Sequence, residues 1–311
     1  MPFGISCAGD VAQKMVETNF GDIPRVLPVF DDIIIGGATE AEHDEALRKV
    51  LSRARERNIK FNRAKIQYRV PQVKYMGELV GQNGFTPDPD KFSAILNMPV
   101  PSNKKDLLRL LGMINYLSKY IPNLSELTSD LRPLLKDDAT WLWQPEHGAA
   151  LCKLKDALTQ APVLKFYDIN RPTVLQVDAS KGGLGACLLQ DDQPIAYASR
   201  SLTPADAQIE KELLAIVFGC ERFHMYTYGT EVQVISDHKP LEPIFKKPLH
   251  KIPPRLQRMR LRLQKYRLQV KFVPGKFLYI ADTLSRAYPD DSGEGSDLHE
   301  KNGRHDPFHH S

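Results

Sequence analysis

Apolar and polar positions change period several times along this chain, and each change predicts a new element. Residues 24–36, PRVLPVFDDIIIG, carry two apolar runs around an acidic pair and predict two strands meeting at a tight turn. Thr39 then precedes a helical stripe of Ala46, Leu47, Val50, Leu51 and Ala54, with Glu42 three residues on as in a capping box. Residues 64–86 alternate through AKIQYRV and VKYMGELV around Gly81-Gln82-Asn83-Gly84, which predicts a hairpin. From Pro87 the period becomes helical. DPDKFSAILNM, NKKDLLRLLGMINYLSKYI and LSELTSDLRPLL predict three helices, broken at Pro99-Val100-Pro101 and at Pro122. A further helix is expected from Trp141 to Gln160. Three short strands follow over 173–199, then a helix over 207–226, a strand over 232–236, a helix over 253–266, a strand over 268–273 and a last helix over 278–286. Beyond Tyr288 the composition collapses to DDSGEGSDLHEKNGRHDPFHHS, which predicts a disordered tail.

The order β-β-β-α-β-α-β-α over the last half predicts one mixed domain, so the fold class is α/β (α+β). The helical block before it reads as a small separate layer or domain. The first 86 residues read as a piece of a domain: they offer few strands to cover their apolar faces and depend on neighbours for burial. A length of 311 residues fits about two domains. The composition, 42% hydrophobic and 26% charged, is that of an ordinary globular chain. No apolar run approaches the ~20 residues that span a bilayer, and the N-terminus shows no signal-peptide pattern, so no membrane partner is expected. Cys7, Cys152, Cys187 and Cys220 are scattered without a C-x-x-C, which argues against a disulfide framework or zinc site and fits a reducing compartment. The net charge of +4 is modest, but its distribution is not uniform.

Four carboxylates stand in settings that suit metal chemistry. Asp178 closes the apolar run VLQV ahead of Ala-Ser-Lys-Gly-Gly, and Asp237 closes VQVIS. Each alone reads equally as a turn or cap aspartate; together they bracket a helix carrying glutamates. Glu210 and Glu212 flank that helix's apolar stripe on opposite sides, and periodicity does not choose between them. Asp282 enters the last helix, where a first-turn dipole role competes with a metal role. Carboxylates converging on one spot repel unless a cation neutralises them, and a pair of divalent metals acting on a phosphodiester would do so. A second signal is cationic. Residues 251–271 hold eight Lys and Arg and no acid. On a helix starting near Pro254, Arg255, Arg258, Arg262 and Lys265 share one face and Leu256, Met259, Leu263 and Tyr266 another, which suits a nucleic-acid backbone. A weaker cluster combines Lys104, Lys105, Arg109 and Lys119.

The stretches LQVDASKGGLGACLLQ, PIAYASRSL, QIEKELLAIVFGCERFHMYTYG, SDHKPLEPIFKKPLHKIPPRLQRMRLRLQKY and PGKFLYIADTLSR resemble the ribonuclease H domain of gypsy-type LTR retrotransposon reverse transcriptases. The resemblance implies Asp178, Glu212, Asp237 and Asp282 as metal-binding carboxylates, and it is what selects Glu212. It implies two Mg2+ ions, with Mn2+ as substitute, an RNA–DNA hybrid as substrate, and no small-molecule cofactor. The link between SRSLTPAD and AQIEKE is shorter than is usual in the family. Pro274-Gly275-Lys276 stands where cellular and retroviral relatives carry a histidine.

Upstream, MPFGI resembles reverse-transcriptase motif B. VFDDIII resembles the polymerase Y-x-D-D hairpin, with Val29 in place of Tyr and Asp31 and Asp32 as its aspartates. The implied organisation is a palm remnant over 1–86, a thumb over 87–138, a connection over 139–170, a ribonuclease H-like domain over 171–288 and a tail over 289–311. The family's fingers and first catalytic aspartate would precede Met1, so no DNA polymerase activity is expected of this chain by itself. Particle assembly in gypsy-type elements is cytoplasmic, so family analogy implies an intracellular, cytoplasmic location, with the nucleus as the alternative.

Overall fold

In a computed structural model of the protein, the described residues are 7–180, 183–202, 208–275 and 278. Helix α1 (Ala8–Phe20), not anticipated from the sequence pattern, buries Val16 and Phe20. Strands β1 (Val26–Val29) and β2 (Asp32–Ile35) pair antiparallel with Val29 opposite Asp32. The turn between them places Phe30 at φ 51°, in the left-handed region. Helix α2 (Glu40–Glu56) is capped by Thr39, whose side chain accepts from the Glu42 N–H at 3.2 Å. The Glu42 carboxylate accepts from the Ala38 N–H, one residue before the cap, so the reciprocal half of the box is displaced. These elements share a small core of Val16, Phe20, Ile23, Val26, Ala46, Val50 and Ala54.

Strands β3 (Gln72–Tyr75), β4 (Glu78–Gly81) and β5 (Gly84–Pro87) form an antiparallel sheet, with the expected hairpin turning at Gln82 and Asn83. The alternating run before Gln72 is not a strand. It holds a 3-10 turn at Arg63–Lys65 and leaves Ile66, Tyr68 and Val70 exposed, so alternation there has no buried face behind it.

Helices α3 (Pro89–Leu96) and α4 (Lys104–Tyr116) are capped by Asp88 and Asn103, whose side chains accept from the N–H groups of Asp90 and Asp106. The third expected helix is instead the short α5 (Leu124–Leu127) and a 3-10 turn at Arg132–Leu135. Pro133 lacks the N–H that a continuing helix needs. Helix α6 (Pro145–Thr159) follows.

The last block opens with β6 (Thr173–Ala179), β7 (Gly183–Gln190) and β8 (Gln193–Ser201). Helices α7 (Gln208–Arg222) and α8 (His224–Thr227) divide what the sequence suggests is one helix. Then come β9 (Glu231–Ser236), the unanticipated α9 (Leu241–Lys246), α10 (Pro254–Leu263) and β10 (Arg267–Phe272). The sheet order is β10-β9-β6-β7-β8. The β6–β9 and β9–β10 pairs are parallel, and the β6–β7 and β7–β8 pairs antiparallel. The last expected helix and the tail lie outside the described residues.

Both faces of this sheet are covered. On one, Leu175, Val177, Ala179, Leu184, Ala186 and Leu188 pack with Leu213, Ile216 and Cys220 of α7 and Leu256, Met259 and Leu263 of α10. On the other, Cys187, Leu189 and Tyr197 join Leu107, Leu110 and Ile114 of α4 and Leu151, Leu154 and Leu158 of α6. The helical block is therefore not a separate layer; it closes the back of the sheet. That explains why every residue of β7 is buried and why its run LGACLL is apolar without alternation. Among the described residues, no helix is long and apolar enough to cross a membrane.

Candidate metal centre

Parallel strands β6 and β9 are direct neighbours, so both carry their C-terminal ends to the same edge of the sheet. Asp178 is the penultimate residue of β6, and Asp237 follows the last residue of β9. Glu212, near the start of α7, reaches the same place and is only 2% exposed. One ligand oxygen from each of the three lies within 4.8 Å of the others. Asp178 is half-buried and Asp237 exposed, so the cluster runs from the interior to solvent. The Glu210 side chain and Asp282 lie outside what is described.

Neighbouring backbone shapes the cluster. The His238 N–H donates to Ser236 Oγ at 3.1 Å, fixing the chain just past β9. The Val273 N–H donates to the Ser236 carbonyl at 3.0 Å, and a Cβ added to Gly275 would stand 3.1 Å from Asp237 Oδ2. Glycine at 275 thus lets the segment after β10 lie against the Asp237 carboxylate.

Burial pushes the Asp178 carboxyl above the usual carboxylate range. The charge of Asp237 adds to this, the backbone N–H of Ala179 opposes it, and Glu126 of α5 adds a further raising field. Without a counter-charge, burial and the neighbouring negative charge disfavour the ionised form of Asp178. A divalent cation removes that penalty, and an all-carboxylate donor set suits a hard cation such as Mg2+ or Mn2+. The residues present fit such an ion.

The other predicted residues fall elsewhere. Asp31 and Asp32 are exposed at the β1–β2 turn. Burial, and then the Asp32 charge, raise the Tyr75 phenol, whose hydroxyl donates to the Leu27 carbonyl at 3.3 Å. Among the described residues, no third metal-ligating side chain gathers with this pair. On α10, Arg255, Arg258 and Arg262 are exposed while Leu256, Met259 and Leu263 are buried; the helix ends at Leu263, short of the expected 266, so exposed Lys265 and buried Tyr266 lie just beyond it. Arg262 is not a free cation, however: its Nε and Nη2 donate to the two oxygens of Glu221 at 3.0 and 2.6 Å. Arg260, on the intervening face, donates to the Ile244 carbonyl and lies 4.6 Å from the Phe245 ring centroid. In the helical block, Lys104 donates to the Lys136 carbonyl at 2.6 Å and Lys119 pairs with Glu78, leaving Lys105 and Arg109 exposed.

Fold and site together define a sheet of ribonuclease H type whose strand ends gather carboxylates, preceded by an acidic hairpin of polymerase type. Comparison with known proteins agrees. Residues 143–234 match the family model of the RNase H-like domain found in reverse transcriptase. Residues 1–79 match that of reverse transcriptase (RNA-dependent DNA polymerase). Over 298 residues, 92% of its length, the chain is 34% identical to the transposon Tf2-3 polyprotein of Schizosaccharomyces pombe and 33% identical to the Tf2-7 polyprotein. It spans 22% of the length of each of these relatives. The foamy viral protease-reverse transcriptase dRH in complex with double-stranded DNA shares the fold at a TM-score of 0.74 and 24% identity, over 85% of this chain and 49% of that one. The same viral protein with an RNA/DNA hybrid gives 0.73 and 22%, over 99% and 42%. The chain is thus similar over residues 1–79 to reverse transcriptases, over 143–234 to the RNase H-like domain found with them, and over most of its length to part of retrotransposon polyproteins.

Proposed function

We propose that this chain is the reverse transcriptase–ribonuclease H portion of a gypsy-type LTR retrotransposon Pol polyprotein, and that its last domain cleaves the RNA strand of RNA–DNA hybrids. The observation that carries the reading is the convergence of Asp178, Glu212 and Asp237 within 4.8 Å at one sheet edge. When bound, divalent cations at such a site supply Lewis-acid activation of water and charge neutralisation at the scissile phosphate. The chain's own residues hold the cations and fix where they sit. Asp178 and Glu212 are set by β6 and α7 in the partly buried floor, and Asp237 faces solvent, where a nucleic-acid backbone can approach. Asp282 is assigned to the same set on the resemblance alone. Arg255 and Arg258 of α10, with Lys265 just beyond it, are assigned to the phosphate backbone of the substrate. The hybrid as substrate class rests on the family resemblance and on the hybrid-bound fold relative.

Cleavage of a strand-labelled RNA–DNA hybrid tests the proposal. The expected result is Mg2+-dependent endonucleolytic cuts in the RNA strand, lowered by on the order of 100-fold or more in Asp178→Asn. Binding of the hybrid without cleavage by the wild-type protein would replace this reading with that of a catalytically idle nucleic-acid-binding protein.

A further inference from the structure

Helices α9 and α10 and the edge strand β10 enclose a cleft of about 500 Å3, within the size range of small-ligand sites. Phe245, Leu268 and Val270, each half-buried, give it apolar walls. Lys246 of α9, Arg260 of α10 and Lys271 of β10 also line it, and Glu242 is the one acid among them. Three cations against one acid leave a net charge of +2. Glu242 reaches Lys246 only at 3.9 Å. Arg260 is half-buried, and burial lowers its pKa from the ordinary guanidinium range. Its partners are neutral: the Ile244 carbonyl, to which it donates, and the Phe245 ring, whose centroid lies 4.6 Å away. Among the described residues no carboxylate pairs with it. A desolvated guanidinium is costly until an anion meets it, and its remaining N–H fork suits a phosphate. The cleft also adjoins surfaces assigned above to nucleic acid. Arg260 stands two residues after Arg258 on α10. Lys271 pairs with Ile235 of β9, two residues before Asp237, so the cleft ends at the sheet edge that carries the carboxylates.

We propose that this cleft is a subsite for one unpaired nucleotide, on a nucleic-acid strand that runs past the duplex held at the metal centre. The subsite rests on the nucleic-acid-binding reading given above and extends it from paired to unpaired strands. The apolar walls receive the base, and Arg260, with Lys246 and Lys271, meets the phosphate. Gln264, exposed in the lining, offers an amide that both donates and accepts, as the polar edge of a base requires. A duplex keeps its bases stacked and presents phosphates alone, so it would use the cations and leave the apolar walls empty. An unpaired nucleotide uses both.

Fluorescence anisotropy of the full-length protein, in EDTA and at fixed salt, compares a labelled oligo(dT) strand with a blunt RNA–DNA hybrid. Arg260→Met keeps the stem over Phe245 and removes the charge; Lys271→Gln changes an exposed residue and leaves the core untouched. Affinity for the single strand should fall about 5-fold or more in Arg260→Met and about 2- to 5-fold in Lys271→Gln, with the hybrid changed less than about 2-fold in either. An abasic strand of equal length should bind wild type about 5-fold more weakly than oligo(dT), and this difference should shrink in Arg260→Met. Ultraviolet crosslinking of a 5-iododeoxyuridine strand to wild type should modify Phe245 or the peptide that begins at Tyr266. Equal weakening of strand and hybrid in both variants, or crosslinks that avoid the cleft, would reduce it to a general cationic surface and overturn the subsite. An acidic, phenylalanine-containing peptide that binds wild type and is lost in both variants, with the strand unaffected, would assign the cleft to a protein partner instead. Hybrid binding without single-strand binding overturns the subsite alone; binding of neither overturns the nucleic-acid reading as well.

Discussion

Asp178 is the residue at which sequence, packing and electrostatics meet. Its position at a strand end is visible in VLQVDAS, but its raised carboxyl pKa is not, because the cause is burial together with Asp237. The sign of the consequence follows from linkage. A carboxyl raised in the folded state favours folding while protonated, and that contribution is lost as pH rises through the folded value. In EDTA, Asp178→Asn should therefore melt above wild type at neutral pH, and the gap should close as pH falls through the carboxylate range. Added Mg2+ should raise the melting temperature of wild type more than that of the variant. Thermal melts across pH, with and without Mg2+, read all three effects; a variant that melts below wild type at neutral pH in EDTA would contradict the account. Asp237 was equally legible, since a polar residue closing an apolar run stands out. Glu212 was not separable from Glu210 by periodicity.

Elements were legible where a pattern reflects one buried face. The alternation of Leu256, Met259 and Leu263 with cations in α10 is such a case, and the three apolar residues are buried as the period requires. The same logic failed over 64–71, where an alternating run has no core to face. Helix α1 escaped notice because only Val16 and Phe20 of its apolar residues are buried, with Val11 and Met15 about half exposed. What periodicity cannot show is which cation on a face is already paired. Arg258 is exposed; Arg262 is bound to Glu221. Arg258→Ala should thus lower the slope of log affinity against log salt for hybrid binding by about 1, whereas Arg262→Ala should leave that slope nearly unchanged. The Arg262–Glu221 pair is itself partly exposed and should add at most about 1 kcal/mol to stability. Equal slope changes in the two variants would show that Arg262 leaves Glu221 to meet the phosphate.

At the scale of the molecule, the two-faced sheet couples parts that the sequence presents as separate. Cys187, Leu189 and Tyr197 belong to the RNase H-like sheet, yet they lie in one core with Leu107, Leu110, Leu151 and Leu154 of the helical block. Leu213, fully buried, belongs instead to the core between the opposite face of the sheet and helices α7 and α10. The chain's two tryptophans, Trp141 and Trp143, pack on the core of the helical side. If the sheet is the common wall of both cores, damage on one side must be felt on the other. Leu213→Ala should cost about 2–5 kcal/mol from lost burial and the cavity left behind. The tryptophan fluorescence transition in urea should then move to lower denaturant together with the far-UV circular dichroism transition, although no tryptophan is near the substitution. A fluorescence transition that stays in place while the circular dichroism signal splits would mean that the helical block folds independently. The distinction bears on the metal centre directly. Asp178 pairs with Gly185, against which Asn123 of the helical block lies closely, so that block borders the centre and a coupled fold ties the two together.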